Sequence, residues 1–165
     1  MSKVLLVGSS IISRFKDCKI PGYNVINKGV PGLVTSEMFS PSYFKKIFTK
    51  NNYEYMIFYC GNNDLKEGIG AVDSLKNIRR FIIIFQENFP STKILVLSIL
   101  NSPENRRLNI IDDIYYINRG LKKIDGIKYV NTNRELSKPK YYLEDGVHLN
   151  SIGYDKMNQI IREKI

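Results

Sequence analysis

The chain has 165 residues, a length that predicts a single domain over residues 1–165. Apolar residues make up 43% and charged residues 25% of the sequence, which excludes disordered, collagen-like and disulfide-dense classes. There are 25 Lys and Arg against 16 Asp and Glu, a net charge of +9, and the single histidine argues against a multi-histidine metal site.

The first half of the chain alternates between strand and helix signals. Short apolar runs that end in glycine or small polar residues predict strands over residues 3–7 and 23–26. A short helical turn is expected after the first strand. Apolar spacing predicts helices over residues 36–48 and 73–88, and an aromatic run predicts the strand between them, residues 53–59.

The second half continues the alternation. Residues 93–99 contain a continuous apolar run, which is typical of a strand buried on both faces of a parallel sheet. A long helix is predicted over residues 105–124, a short strand over 128–130 and a final helix over 151–165. The intervening loop, residues 131–150, has no periodicity, and a loop of this length in a compact domain is usually functional.

This order of elements predicts an α/β fold with a parallel sheet and helices on both faces. Ligands bind at the carboxyl ends of the strands in such sheets. The segments that follow the strands there are Gly8-Ser9-Ser10, Asn27-Lys28-Gly29, Gly61-Asn62-Asn63-Asp64 and, beyond a loop, Asp145-Gly146-Val147-His148. We therefore expect a hydroxyl, amides, a carboxylate and the only imidazole to meet at one edge.

These groups are the parts of an acyl-transfer site. A serine such as Ser10 needs a base within hydrogen-bond distance, and His148 is the only imidazole available. Asp145, three residues earlier, would orient the imidazole. The N–H groups of Ser10 and Gly29 and the side-chain amide of Asn63 would stabilise an oxyanion.

The four segments, in this order, resemble the motif blocks of the SGNH hydrolase superfamily, also called GDSL esterases and lipases. The resemblance covers almost the whole chain. It implies a flavodoxin-like three-layer α/β/α sandwich whose five parallel strands are ordered 2-1-3-4-5. It also implies a catalytic triad of Ser10, Asp145 and His148, with Gly29 and Asn63 as oxyanion donors beside the Ser10 N–H.

The first block departs from the family pattern. Gly-Asp-Ser reads Gly-Ser-Ser here, so Ser9 stands where the family has an aspartate, and alignment of the block puts the nucleophile at Ser10. Ser9 and Asn62 are further candidates for substrate binding. Lys138 and Lys140 precede the Asp-x-x-His block, and we expect them to favour an anionic or carbohydrate substrate.

The predicted function is a serine esterase that hydrolyses short acyl esters, above all acetyl esters, including O-acetyl groups on carbohydrate. No metal or organic cofactor is expected. One alternative is an O-acyltransferase, in which a sugar hydroxyl replaces water as the acceptor. The other is a non-catalytic module on the same fold that binds glycans or nucleic acid.

The expected partner is a small-molecule or carbohydrate ester, and the oligomeric state is left open. The basic residues are spread over several helices without interleaved aromatics, so nucleic acid is not an expected partner. The longest apolar run, residues 81–85, is far shorter than a membrane span, and no signal peptide is visible. These features predict a cytoplasmic protein that does not enter a membrane.

Overall fold

A computed structural model describes residues 1–165 and places five parallel strands in one sheet. The sheet order is β2-β1-β3-β4-β5, and each neighbouring pair is parallel, which confirms the predicted α/β class and strand order. The strands are β1 Ser2–Gly8, β2 Tyr23–Asn27, β3 Tyr55–Tyr59, β4 Lys93–Leu97 and β5 Ile127–Val130.

Both faces of the sheet are buried against helices. In β1, Leu5 and Val7 belong to a core of 23 buried residues on one face, and Val4 and Leu6 belong to a core of 20 on the other. Successive side chains of a strand point to opposite faces, so a strand covered on both sides must be apolar throughout. This is why the central strands are continuous apolar runs.

Eight α-helices and two 3₁₀ turns connect the strands. Side chains of α4 and α6 enter the larger core, and side chains of α1 and α8 enter the smaller one. No helix is both long enough and apolar enough to cross a membrane. The helices are α1 Ser10–Ser13, α2 Pro41–Ile47, α3 Asn62–Lys66, α4 Ala71–Asn88, α5 Pro103–Arg107, α6 Ile111–Leu121, α7 Asn133–Leu136 and α8 Ser151–Arg162; the 3₁₀ turns are Thr35–Phe39 and Pro139–Tyr141.

Two predicted helices are each divided in the structure. The predicted helix over residues 36–48 is a 3₁₀ turn followed by α2, because Ser40 accepts a capping bond from the Tyr43 N–H and Pro41 starts a new helix. The predicted helix over residues 105–124 is α5 and α6. They are separated at Asn109, whose φ of 58° lies in the left-handed region that ends helices.

The long loop of residues 131–150 contains structure that its sequence does not reveal. It forms α7, the second 3₁₀ turn and an antiparallel bridge between Tyr142 and Leu149. The Asn150 side chain donates to the carbonyls of Lys140 and Tyr142 across this turn. The loop is therefore closed by hydrogen bonds immediately before α8 begins.

Candidate active site

The end of β1 and the start of α1 fix the position of Ser10. A Cβ at Gly8 would lie 1.9 Å from the Tyr59 carbonyl oxygen, so only glycine allows β1 and β3 to approach here. The Ser9 N–H donates to that carbonyl at 3.1 Å, and the Ser9 carbonyl accepts the first bonds of α1. Ser10 is thus the first residue of a helix at the carboxyl edge of the sheet.

Ser10, His148 and Asp145 form a continuous chain of contacts. The Nε2 atom of His148 lies 3.2 Å from the Ser10 Oγ, and its Nδ1 atom lies 2.6 Å from the Asp145 Oδ2. The ring is part-buried, with 17% of the side chain exposed. The structure therefore brings together the three residues predicted as a triad, although they are separated by up to 138 positions in the sequence.

Asp145 accepts hydrogen bonds that keep its carboxylate ionised. Partial burial alone would raise the pKa of this carboxyl. Bonds from the His148 ring and from the N–H groups of His148 and Val147 outweigh that effect and lower the pKa to about 2. An ionised carboxylate keeps the proton on Nδ1, so the lone pair of the Nε2 atom faces Ser10.

The turn that carries Asp145 and His148 is braced by its neighbours. The Gly146 N–H donates to the Leu143 carbonyl, and the Leu143 N–H donates to the His148 carbonyl at 2.8 Å. The Gly146 carbonyl accepts the Glu104 N–H at 3.1 Å. Gly146 has a φ of 68°, which favours glycine in this turn. The base and its orienting carboxylate are thus held by backbone bonds as well as by each other.

Two of the three predicted oxyanion donors have free hydrogens. The Ser10 N–H lies at the start of α1 and has no acceptor within the protein. The Asn63 Nδ2 donates one hydrogen to the Leu33 carbonyl at 3.1 Å, which leaves the second hydrogen available. Gly29 differs from the prediction, because its N–H already donates to the Asn27 Oδ1 at 2.8 Å.

Gly32 is a candidate donor that the sequence reasoning missed. Its N–H has no acceptor within the protein, and it directly precedes Leu33, whose carbonyl holds the Asn63 amide. Its φ of 74° and the Pro31-Gly32 dipeptide define a tight turn. The Pro31-Gly32 dipeptide could have indicated this donor in the sequence, because Pro-Gly pairs mark turns in which backbone N–H groups are left free.

A buried carboxylate anchors the segment that follows Gly32. Asp64 is fully buried and accepts bonds from the Thr35 N–H at 2.8 Å, from the Thr35 hydroxyl and from the Ser74 hydroxyl at 2.7 Å. The Asn77 amide also donates to the Thr35 hydroxyl. Asp64 therefore ties the Gly32–Thr35 segment to α3 and α4, and its role here is structural.

The remaining predicted residues occupy different positions. Ser9 is only 2% exposed, so it packs beneath the site and is not available to a substrate, contrary to our expectation. Asn62 is 8% exposed, and its Oδ1 accepts from the amide of Asn105. Lys138 and Lys140 are exposed, and the Lys140 ammonium lies 5.1 Å from the centroid of the adjacent Tyr141 ring.

Asn105 is a second residue that the sequence analysis missed as part of the site. It is 1% exposed and bridges Asn62 to the Leu100 carbonyl, so it supports the helix that carries Asn63. Its position follows from the start of α5, where Ser102 caps the helix and Pro103 is the first residue. A Ser-Pro pair is a recognised helix-start signal.

The triad lies outside the described surface cavities. Ser10 and His148 line none of five surface cavities whose volumes range from 250 to 830 Å³. The side chains form no cluster of three His, Cys, Asp or Glu residues. A hydroxyl, an adjacent imidazole, an ionised carboxylate and several free N–H donors can together support attack on an ester carbonyl.

Several solved structures of lipolytic proteins and esterases have a similar fold. A G-D-S-L family lipolytic protein of Veillonella parvula superposes with a TM-score of 0.81 at 17% identity, covering 99% of this chain and 97% of that one. A catalytic mutant of an acetylxylan esterase from Geobacillus stearothermophilus gives 0.76 at 14% identity, covering 99% and 93%. A lipase/acylhydrolase of Enterococcus faecalis gives 0.75 at 17%, covering 100% and 95%.

These likenesses confirm that the chain has the SGNH, or GDSL, hydrolase fold that its motif blocks resemble. No family model matches the sequence. Among curated proteins, the N-acylneuraminate cytidylyltransferase of Escherichia coli O18:K1:H7 is 24% identical over 169 residues. The match covers 99% of this chain, and the chain spans 40% of the length of that protein.

Proposed function

We propose that the protein is a serine esterase that removes short acyl groups, above all acetyl, from hydroxyl groups of carbohydrate. The observation that carries the proposal is the contact chain from the Ser10 Oγ to His148 at 3.2 Å and on to Asp145 at 2.6 Å. These contacts lie at the carboxyl edge of the sheet, and the protein has the fold of GDSL hydrolases.

The reaction would begin with attack of the Ser10 Oγ on the ester carbonyl. The Nε2 atom of His148 takes the hydroxyl proton and passes it to the departing sugar oxygen. Asp145 holds the imidazole in place and stabilises the imidazolium that forms. Water then attacks the acyl-enzyme, again with His148 as the base, and releases the carboxylic acid and Ser10.

The oxyanion formed in both steps needs donors that are not already engaged. We assign the Ser10 N–H and the free amide hydrogen of Asn63 to this role, because both are available. For the third donor we favour the Gly32 N–H over that of Gly29, which is bonded to Asn27. The three donors come from the segments that follow β1, β2 and β3.

A short acyl group on a sugar suits the surroundings of Ser10. No cavity described above opens at the nucleophile, so a long aliphatic chain would find no apolar enclosure there. One solved structure with this fold is an acetylxylan esterase, and the curated relative is named for N-acylneuraminate, a sugar acid. Both comparisons support a carbohydrate as the alcohol part of the ester.

Hydrolysis of p-nitrophenyl acetate and of acetylated xylo-oligosaccharide by the purified protein tests this function. Ser10→Ala should lower kcat by a factor of at least about 10³, because the nucleophile is lost. Ser9→Ala is the matched control and should keep most of the activity, because Ser9 is buried beneath the site. Equal loss in both variants, or release of acetate that does not need Ser10, would contradict the proposal.

The same assay separates hydrolysis from acyl transfer. With an unacetylated xylo-oligosaccharide present as acceptor, an esterase releases free acetate in proportion to the nitrophenol formed. A transferase would instead give a shortfall of free acetate, matched by newly acetylated sugar. Mass spectrometry of the sugar products measures this shortfall directly.

A further inference from the structure

A polar groove adjoins the candidate active site on the surface that α1 and α8 cover. It is a cavity of 490 Å³ between the segment after α1 and one face of α8. The lining residues of α8 run from Ser151 to Arg162 at alternating spacings of three residues and one residue, so they lie on one face of the helix. This part of the groove is roughly 16 Å long. Its charged residues are Arg14, Lys16, Lys19, Arg162, Asp17 and Asp155.

One end of the groove lies within a helical turn of the nucleophile. The Arg14 N–H donates to the Ser10 carbonyl at 3.0 Å. The Tyr154 hydroxyl donates to the Ile11 carbonyl at 2.7 Å, so α8 is fastened to α1 beside Ser10. Ser151 follows His148 by only three residues. The groove therefore begins about one helical turn from Ser10 and runs away from it along α8.

The charged groups of the groove have no partners in the protein. The ion pairs of the structure join Arg107 to Glu104 and His148 to Asp145, and neither pair lies in the groove. Four cations and two carboxylates thus face one cavity unpaired. A ligand that carries negative charge and hydroxyl groups would satisfy both kinds of side chain.

This set of donors and acceptors fits an acidic sugar chain better than a polyphosphate. Cations bind sugar carboxylates, and aspartates, the Ser151 hydroxyl and the Gln159 amide can bond to sugar hydroxyls. Asp17 and Asp155 would repel a dense row of phosphates. The Tyr154 ring is stacked on Phe15 with the ring centroids 5.1 Å apart, so one of its faces is already covered and cannot stack on a nucleic-acid base.

We propose that this groove binds an acidic oligosaccharide and presents an O-acyl group on that chain to Ser10. The inference rests on the proposed function, because it places the rest of the ester substrate. The sugar carboxylates lie against the groove cations, and the acylated sugar lies at the Ser10 end. The net charge of +9 adds a general attraction for such a chain.

Kinetics with two oligosaccharides test the groove. The probes are partially O-acetylated oligogalacturonate, which is acidic, and O-acetylated xylo-oligosaccharide, which is neutral, each about five sugars long. In the double variant Lys16→Gln/Arg162→Gln, we expect the ratio of kcat/KM for the acidic over the neutral probe to fall about fivefold, mainly through KM. Neither side chain makes a hydrogen bond, so the fold should be kept.

The matched control removes the same charge from the opposite face. Arg79 and Lys123 line a separate cavity between α4 and α6 and are also unpaired. In Arg79→Gln/Lys123→Gln the acidic-to-neutral ratio should change by less than about twofold, because only the long-range field is reduced. An equal fall in both double variants, or no fall in the groove variant, would overturn the proposal.

A binding measurement separates this inference from the proposed function. Unacetylated hexagalacturonate titrated into Ser10→Ala should bind, and binding should weaken about fivefold in the groove double variant of that protein. A protein that hydrolyses p-nitrophenyl acetate but does not bind hexagalacturonate retains the esterase function and refutes the groove. A protein that binds hexagalacturonate through the groove but cleaves no ester refutes the esterase alone. Tighter binding of a single-stranded hexanucleotide than of hexagalacturonate would also overturn the proposal.

Discussion

At the scale of single residues, Asp145 determines how the candidate base can work. Its pKa of about 2 keeps the carboxylate ionised across the range in which histidine side chains ordinarily titrate. Between pH 4 and 8 Asp145 should therefore stay ionised and should contribute no protonation step to the reaction.

The predicted pH profile follows from this arrangement. We expect log kcat/KM for p-nitrophenyl acetate to show no titration of Asp145 between pH 4 and 8, so that its slope against pH does not exceed 1. Asp145→Asn should lower kcat by a factor of about 10³–10⁴, because the tautomer is no longer fixed. Glu144→Gln, which alters the exposed neighbour, should retain the activity. A limiting slope of 2 would mean that Asp145 also titrates in this range.

The same carboxylate links stability to pH. Because its folded-state pKa lies below the ordinary 3.8, its bonds stabilise the folded protein above that pH. The contribution is lost as the pH falls from about 4 through about 2. Asp145 is 43% exposed at its side chain, so this contribution to the free energy of unfolding is small.

Asn63 offers a direct test of oxyanion stabilisation. Asn63→Ala removes one donor while the Asp64 anchor of the same helix stays in place. We expect kcat to fall by a factor of about 10²–10³ with little change in KM, because the donor acts on the transition state. The test is steady-state kinetics beside a thermal melt. A rise in KM with kcat unchanged would assign Asn63 to ground-state binding instead.

The residues of the site were predictable to different degrees. Ser10, Asn63, Asp145 and His148 follow strands or their loops in sequence, so strand topology alone brings them to one edge. Whether a backbone N–H is free depends on contacts that no motif records. The Asn27 side chain occupies the Gly29 N–H, and only the folded loop reveals this bond.

At the scale of elements, the close approach of the β2 loop to α1 is a steric constraint near the site. A Cβ at Gly29 would lie 2.4 Å from the Ser13 nitrogen and 2.7 Å from its Cα, both backbone atoms that cannot rotate away. The primary role of Gly29 in this structure is therefore steric. It lets the loop that carries Gly32 lie against the helix that carries Ser10.

Gly29→Ala should consequently destabilise the protein by about 1–3 kcal/mol through overpacking. Gly70→Ala is the matched control, because Gly70 has an ordinary backbone φ of −66° and open space around its Cα. It should change the free energy of unfolding by less than about 1 kcal/mol. Urea denaturation of both variants measures the difference. Equal stabilities would show that α1 and the β2 loop can move apart without cost.

The positions at which helices begin and end were the least predictable feature of the fold. Apolar spacing alone runs through Pro41, because Met38 and Tyr43 on its two sides face the same core. It also runs through Asn109, because Leu108 and Ile111 are spaced as on one helix face, although Leu108 is exposed in the structure. Local backbone chemistry decides these breaks, through a serine cap before the proline and a left-handed asparagine. Strands were predicted more accurately, since a strand buried on both faces leaves a continuous apolar run.

At the scale of the whole molecule, the parallel sheet and its two cores follow from the alternation of strands and helices. The strand order was predicted from the resemblance to the SGNH hydrolases, and the sheet confirms it. The fold places the candidate nucleophile at the carboxyl edge of the sheet, where it lines none of the five described cavities. A long acyl chain would stay largely in water there, whereas an acetyl group needs no enclosure.

Acyl-chain preference should reflect this open edge. For p-nitrophenyl esters, we expect kcat/KM to fall by at least about tenfold from acetate to octanoate, because the added methylenes gain no burial. Rates measured below the micellar concentration of the longer esters give the comparison. A preference for octanoate would mean that an apolar acyl pocket opens next to Ser10.

Covalent labelling tests most directly whether Ser10 is a nucleophile activated by His148. The protein is treated with a fluorophosphonate probe, and the modified peptide is identified by mass spectrometry. We expect one adduct, on Ser10, which persists in Ser9→Ala and is lost in Ser10→Ala and His148→Ala. Folded protein that takes up no probe, or takes it up on Ser9, would show that Ser10 is not the nucleophile.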